Sequence, residues 1–124
     1  MPMPTEPFPE RCIRFSVHIL ALADTIPKSP ISRPVIDQLV RSSMAIGANT
    51  CEAKSAQSRA DFISKFEIAL KEAREAGYWL EVVRQANLVT DTLGLKELSG
   101  ECHELTAILV SSVKTAKQNA KSRK

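Results

Sequence analysis

Two histidines, three cysteines and fourteen carboxylates are the first side chains of this sequence to weigh for acid–base, nucleophilic or metal chemistry. Such chemistry needs them in sets. A helical di-iron site needs Glu-x-x-His on two helices, but Phe15 stands three residues before His18 and Gly100 three before His103. Zinc needs about four ligands in a compact set, whereas Cys102 and His103 are neighbours that point about 100° apart on a helix. A Cys102 or serine nucleophile would need one of the histidines as its base. His18 sits amid apolar residues and reads as a packed or interface histidine. The chain has no Gly-x-Ser-x-Gly elbow, phosphate loop or dinucleotide fingerprint, and Ile46-Gly47-Ala48-Asn49 lies inside a helical pattern with too few glycines to cradle a phosphate. The expectation is no catalytic residue, no metal and no cofactor, so the protein works by assembling and binding.

Two polar features stand out for binding. Arg41, Ala45, Asn49 and Glu52 fall on one helix face at spacings of four, four and three. Arg41 and Glu52 are about 16 Å apart along that helix, too far to pair within it. They form a solvated face, a polar network at a helix or subunit contact, or a ligand contact. The second feature is the C-terminus, where Lys114, Lys117, Lys121, Arg123 and Lys124 occur with no acid among residues 114–124. The chain carries +3 in all; without those five cations the remainder holds 12 basic and 14 acidic residues. Such a tail is either a frayed, solvated end or an electrostatic handle for polyanions.

The elements that must position these residues are helices. With 124 residues, the chain is long enough for one core. Aromatics are scarce at 5%, which favours helix packing over a sheet sandwich. Four prolines in residues 1–9 make a proline-rich arm. The first helix runs from about Glu10 to Ile26 on Phe15, Ile19, Leu22 and Ile26. Pro27, Pro30 and Pro34 break the chain. The second helix carries Ile36, Leu39, Ser43, Ile46, Thr50 and Ala53 and ends near Ala56. Ser58 with Asp61 reads as a capping box for the third, whose seam is Phe62, Phe66, Ala69, Ala73, Ala76, Leu80 and Val83. Glu67 and Lys71 pair four apart on it, and Gly77 marks a close helix contact. Leu95, Leu98, Cys102, Leu105, Leu109, Ser112 and Ala116 carry the fourth, which dissolves into the basic tail. The three–four spacing and short loops predict an all-α, antiparallel up-down-up-down left-handed four-helix bundle. The domain plan is an arm (1–9), a bundle (10–113) and a basic tail (114–124).

Second apolar lines on the first three helices exceed what a lone bundle needs; they are either a subunit interface or wide core faces. Cys12, Cys51 and Cys102 are odd in number and widely spaced, and read as buried apolar cysteines of a cytoplasmic protein. No apolar run is long enough for a bilayer, so no membrane partner is expected.

The segment Gln38-Leu39-Val40-Arg41-Ser42-Ser43-Met44-Ala45-Ile46-Gly47-Ala48-Asn49 resembles the signature of the four helix bundle proteins encoded in intervening sequences of bacterial 23S rRNA genes. The resemblance continues at Cys51-Glu52-Ala53, Ser58, Asp61-Phe62 and Lys65. It is close at Ile68-Ala69-Leu70-Lys71-Glu72-Ala73-Arg74-Glu75 and Tyr78-Trp79-Leu80, and about 105 residues are covered. It implies a left-handed antiparallel bundle and a ring-like homopentamer. The family is similar to the accessory variability determinant of diversity-generating retroelements, which binds a reverse transcriptase and nucleic acid through a basic surface. By that analogy the chain is expected to be a non-enzymatic oligomeric accessory protein binding RNA or an RNA-handling partner, with its basic tail as the contact. The alternative is a protein–protein interaction scaffold without nucleic-acid contact.

Overall fold

The structure is a computed structural model describing residues 6–122. Residues 1–5 of the expected arm, and Arg123 and Lys124 of the expected tail, lie outside the described residues. The described residues form four helices: α1 (Phe8–Asp24), α2 (Arg33–Ala53), α3 (Arg59–Gln85) and α4 (Thr92–Ser122). Among the described residues there is no strand.

Each boundary has a local cause. A proline stands in the first turn of α1 and of α2, where its missing N–H leaves no bond unmade. The corner between them is tied by Ser32, whose hydroxyl donates to the Pro27 carbonyl at 2.7 Å and accepts the Ser29 N–H at 2.9 Å. At α3, Ser58 Oγ accepts the Asp61 N–H at 3.0 Å. The reciprocal half of the box is displaced by one residue, since Asp61 Oδ2 takes the Gln57 N–H at 3.4 Å. The far end of α3 closes with Asn87 at φ 55°. There Leu88 N–H donates to Val83 O and Asn87 N–H to Arg84 O, the paired bonds of a Schellman turn, with Asn tolerating the left-handed position. Asp91 Oδ1 accepts the Gly94 N–H at 2.9 Å and starts α4.

The helices pack α1 on α2, α2 on α3, α3 on α4 and α1 on α4. Along α2 the numbers rise from Arg41 to Glu52 as their partners on α3 fall from Glu75 to Lys65. Phe15, Ile19, Leu39, Ile46, Leu80, Leu105 and Leu109 fill the core. Ala69, Ala73 and Ala76 are each wholly buried, and their small side chains let α4 come close enough for Cys102 Sγ to donate to Ala73 O at 3.3 Å.

The structure corrects several sequence expectations. The basic segment is no separate tail: α4 continues through Lys114, Lys117 and Lys121, because Val113 and Ala116 stay buried and Lys, Ala and Gln are good helix formers. The arm is shorter than expected, since Phe8 and Pro9 already belong to α1. Glu67 pairs across to Lys117 on α4 rather than with Lys71. Cys51 is exposed while Cys12 and Cys102 are buried. The closer of the two glycine contacts between helices is at Gly47, where an added Cβ would lie 2.9 Å from Cys12 Cβ; at Gly77 it would meet Cys102 Sγ at an ordinary 3.7 Å.

Candidate nucleic-acid interface

The basic end is built where α2 stops, α3 starts and α4 finishes. Lys65 Nζ lies 2.9 Å from Glu52, which fastens α3 to the end of α2, and Lys117 Nζ lies 2.9 Å from Glu67, which fastens α4 to α3. Arg59, Lys114 and Lys121 are exposed and make no ion pair among the described residues. Three of the five expected cations are therefore seen, projecting from an ordered helix, and one of them, Lys117, is partly neutralised. Arg59 belongs with them and was missed from sequence, because only the packing of α3 on α4 brings residue 59 near residue 115.

Between these two helices lies a notch of about 410 Å³. Arg59, Phe62 and Phe66 line it from α3; Ser111, Ser112, Thr115, Ala116 and Asn119 line it from α4. Phe66 packs against the core and Phe62 stacks on it, ring centroids 4.6 Å apart at 23°. Both rings are half-buried.

The Arg41–Asn49–Glu52 stripe separates into independent parts. Arg41 donates to Glu72 at 2.9 Å, to Glu75, and to Gln38 at 3.0 Å. Trp79 Nε1 donates to the same Glu75 oxygen at 3.2 Å. The bonds from Trp79 and Arg41 hold the Glu75 carboxyl below its usual range, and Glu72 and Glu75 raise the Arg41 guanidinium further. Asn49 donates back to Ala45 O at 2.8 Å within α2, while Glu52 holds Lys65 and raises it. The stripe joins α2 to α3, and the structure does not bring its three residues to one point.

A second concavity, of about 830 Å³, runs between α1 and α4. Phe15, Leu22 and Leu98 floor it, and Asp91, Glu97, Glu101 and Glu104 outnumber Arg14 and Lys96 along it. His18 is exposed on its wall rather than packed inside. Arg11 on α1 grips Glu101 of the cleft wall with two bonds of 3.1 and 2.6 Å. No group of three or more His, Cys, Asp or Glu among the described residues could hold a metal ion. Burial pushes the Cys12 thiol up to about 12 and the Cys102 thiol up to about 11, far from the thiolate range a nucleophile needs. No helix among the described residues is long and apolar enough to cross a membrane.

Comparison with known proteins adds two findings. A family model described as 23S rRNA-intervening sequence protein matches residues 9–111. A solved structure of a protein of unknown function from the S23 ribosomal protein family of Bacteroides thetaiotaomicron VPI-5482 is 34% identical, with a TM-score of 0.75 over 87% of this chain and 99% of that one. No curated protein matches.

Proposed function

This chain belongs to the 23S rRNA-intervening sequence protein family, and from that premise we propose that it is a non-enzymatic, cytoplasmic accessory protein that binds RNA through the basic end of its bundle. The observation that carries the proposal is the meeting of Arg59, Lys65, Lys114, Lys117 and Lys121 at one end, three of them without an acidic partner among the described residues. Binding of this kind releases counterions, about 0.7 of a log–log salt unit for each phosphate contacted on a single strand. Fluorescence anisotropy of a labelled oligoribonucleotide across a salt series tests it. The full chain should bind with a steep slope, and Lys114→Gln with Lys121→Gln should lower that slope by about 1.4 units. Affinity indifferent to salt would refute the reading.

The same reading includes self-association, as a homopentamer by family resemblance. Ile13, Val17 and Leu20 support it: they form an outward stripe on α1 at 64%, 56% and 43% exposure, more apolar surface than a monomer needs. The finer architecture is an antiparallel left-handed bundle; the opposed sequence order of the α2–α3 pairs supports its antiparallel direction, and the three–four spacing of the seams supports its hand. Sedimentation velocity should give one assembled species, broken by Val17→Glu; a monomer at micromolar concentration would refute self-association. A protein scaffold without nucleic-acid contact is the second reading, favoured by the apolar-floored cleft between α1 and α4. It predicts one stoichiometric protein partner from nuclease-treated lysate and no RNA binding.

A further inference from the structure

We propose that the notch between the start of α3 and the end of α4 is a stacking site for an unpaired base of single-stranded RNA, which lies on the Phe62–Phe66 pair. This inference rests on the RNA-binding reading and names the form of nucleic acid that reading leaves open.

Four observations carry it. First, the rings stand where the fold asks least for them. The α3 seam is alanine at 69, 73 and 76, where α3 is buried deepest, and becomes phenylalanine at the start of α3, beside the end of α4. Neither α1 nor α2 contributes a lining residue, so part of each ring is open to solvent. Second, the pair already presents the stacked geometry a base extends, with centroids 4.6 Å apart and nearly parallel planes. Every base has a π-face, and aromatic platforms bind single strands by that face. Third, the opposite wall carries Ser111, Thr115 and Asn119, whose side chains make no hydrogen bond among the described residues and offer donors and acceptors to a base edge. Fourth, Arg59 lines the same notch, so a phosphate beside the base meets a cation. A duplex keeps its bases stacked on each other and offers no face to the rings, so the notch selects unpaired strands.

The test is anisotropy with fluorescein-labelled 12-nucleotide oligouridylate and oligoadenylate and with a 12-base-pair RNA duplex. Phe62→Leu removes the ring but keeps apolar volume, Phe62→Tyr keeps the ring, and far-UV circular dichroism checks that both fold. Phe62→Leu should weaken single-strand binding by about tenfold, leave the salt slope unchanged and leave duplex binding within twofold. Phe62→Tyr should bind like the parent. A single 2-aminopurine in the oligoadenylate should be quenched by the parent and by Phe62→Tyr but not by Phe62→Leu. Single-strand binding that Phe62→Leu leaves intact, or a duplex bound as tightly as the single strand, overturns the stacking site while the electrostatic reading survives. Absence of salt-dependent binding by the parent chain overturns both.

Discussion

Gly94 sits in the first turn of α4; the other three glycines lie in helix interiors, where the same change has opposite consequences. Replacing a glycine in a helix interior by alanine favours the helix by about 1 kcal/mol. At Gly100 nothing lies within 4 Å of the added Cβ, and at Gly77 it meets Cys102 Sγ at 3.7 Å. Gly100→Ala and Gly77→Ala should each stabilise the protein by about 0.5–1 kcal/mol. At Gly47 the added carbon lies 2.9 Å from Cys12 Cβ, closer than two carbons pack, and relieving that overlap in a tight helix contact costs about 1–3 kcal/mol. Subtracting the helix gain leaves Gly47→Ala destabilised by up to about 2 kcal/mol. The offending atom is a Cβ, so Cys12→Ala gives no relief, whereas Cys12→Gly makes room. In a Cys12→Gly background, Gly47→Ala should therefore become stabilising. Urea unfolding followed by circular dichroism at one fixed protomer concentration measures all of this. A Gly47→Ala midpoint raised as far as that of Gly100→Ala would refute the close crossing of α1 and α2.

Other consequences follow from charge and burial. Iodoacetamide at pH 8 should label Cys51 rapidly, one thiol in three, since Cys51 is exposed and burial holds Cys12 and Cys102 at about 12 and 11; mass spectrometry should find the other two labelled only in denaturant. Glu75 has a lowered carboxyl pKa, so its pairing stabilises the fold above its ordinary value of 4.5 and is lost as pH falls through the lower folded value. Glu75→Gln should flatten the acid limb of the stability curve below about pH 4.5, an effect under about 1 kcal/mol for a part-exposed pair. The Arg11 and Glu101 side chains are each only 11% exposed, and Arg11 has a longer second contact with Glu104 at 3.6 Å, so Glu101→Leu, which takes the two closest bonds from the guanidinium, should destabilise by roughly 1–3 kcal/mol, toward the lower figure. Adding Arg11→Met should restore part of that loss in urea unfolding.

The helices were legible in the sequence because their burial is periodic. Phe15, Ile19 and Leu22, then Ala69, Ala73, Ala76, Leu80 and Val83, were readable as seams and are buried as such. Pro34 and Ser58 marked two of the starts. What could not be read was whatever depends on which turn of one helix faces which turn of another. Gly77 and Gly47 look alike in sequence; only the crossing with Cys12 distinguishes them. Glu67 has Lys71 one turn away, yet the structure pairs it with Lys117, fifty residues on. The end of α4 was misread because Lys-rich composition signals solvation, while the burial of Val113 and Ala116 that keeps it helical depends on α3. The candidate site suffered most. Phe62 and Phe66 fit the seam so well that they read as core, and the relevant signal was the switch from alanine to phenylalanine at the start of α3.

The slightly acidic bundle looks like an obstacle to polyanion binding only if its charge is averaged over the molecule. The structure separates the signs. Lys54, Arg59, Lys65, Lys114, Lys117 and Lys121 gather with Glu52, Asp61 and Glu67 at one end, while Asp91, Glu97, Glu101 and Glu104 line the cleft toward the other. Glu104 and Lys121 are 17 residues apart on one helix, about 25 Å. Charges at physiological salt are screened beyond about 8 Å, so the distant carboxylates are nearly invisible to a phosphate at the basic end. Neutralising two acids should then have effects set by place and not by number. Glu97→Gln with Glu104→Gln raises the net charge by two and should change RNA affinity by less than about twofold. Glu67→Gln raises it by only one but releases Lys117, and should steepen the single-strand salt slope by about 0.7. A double cleft variant that outperforms Glu67→Gln in the same salt series would show that RNA responds to the overall charge of the bundle and that its basic end has no special role.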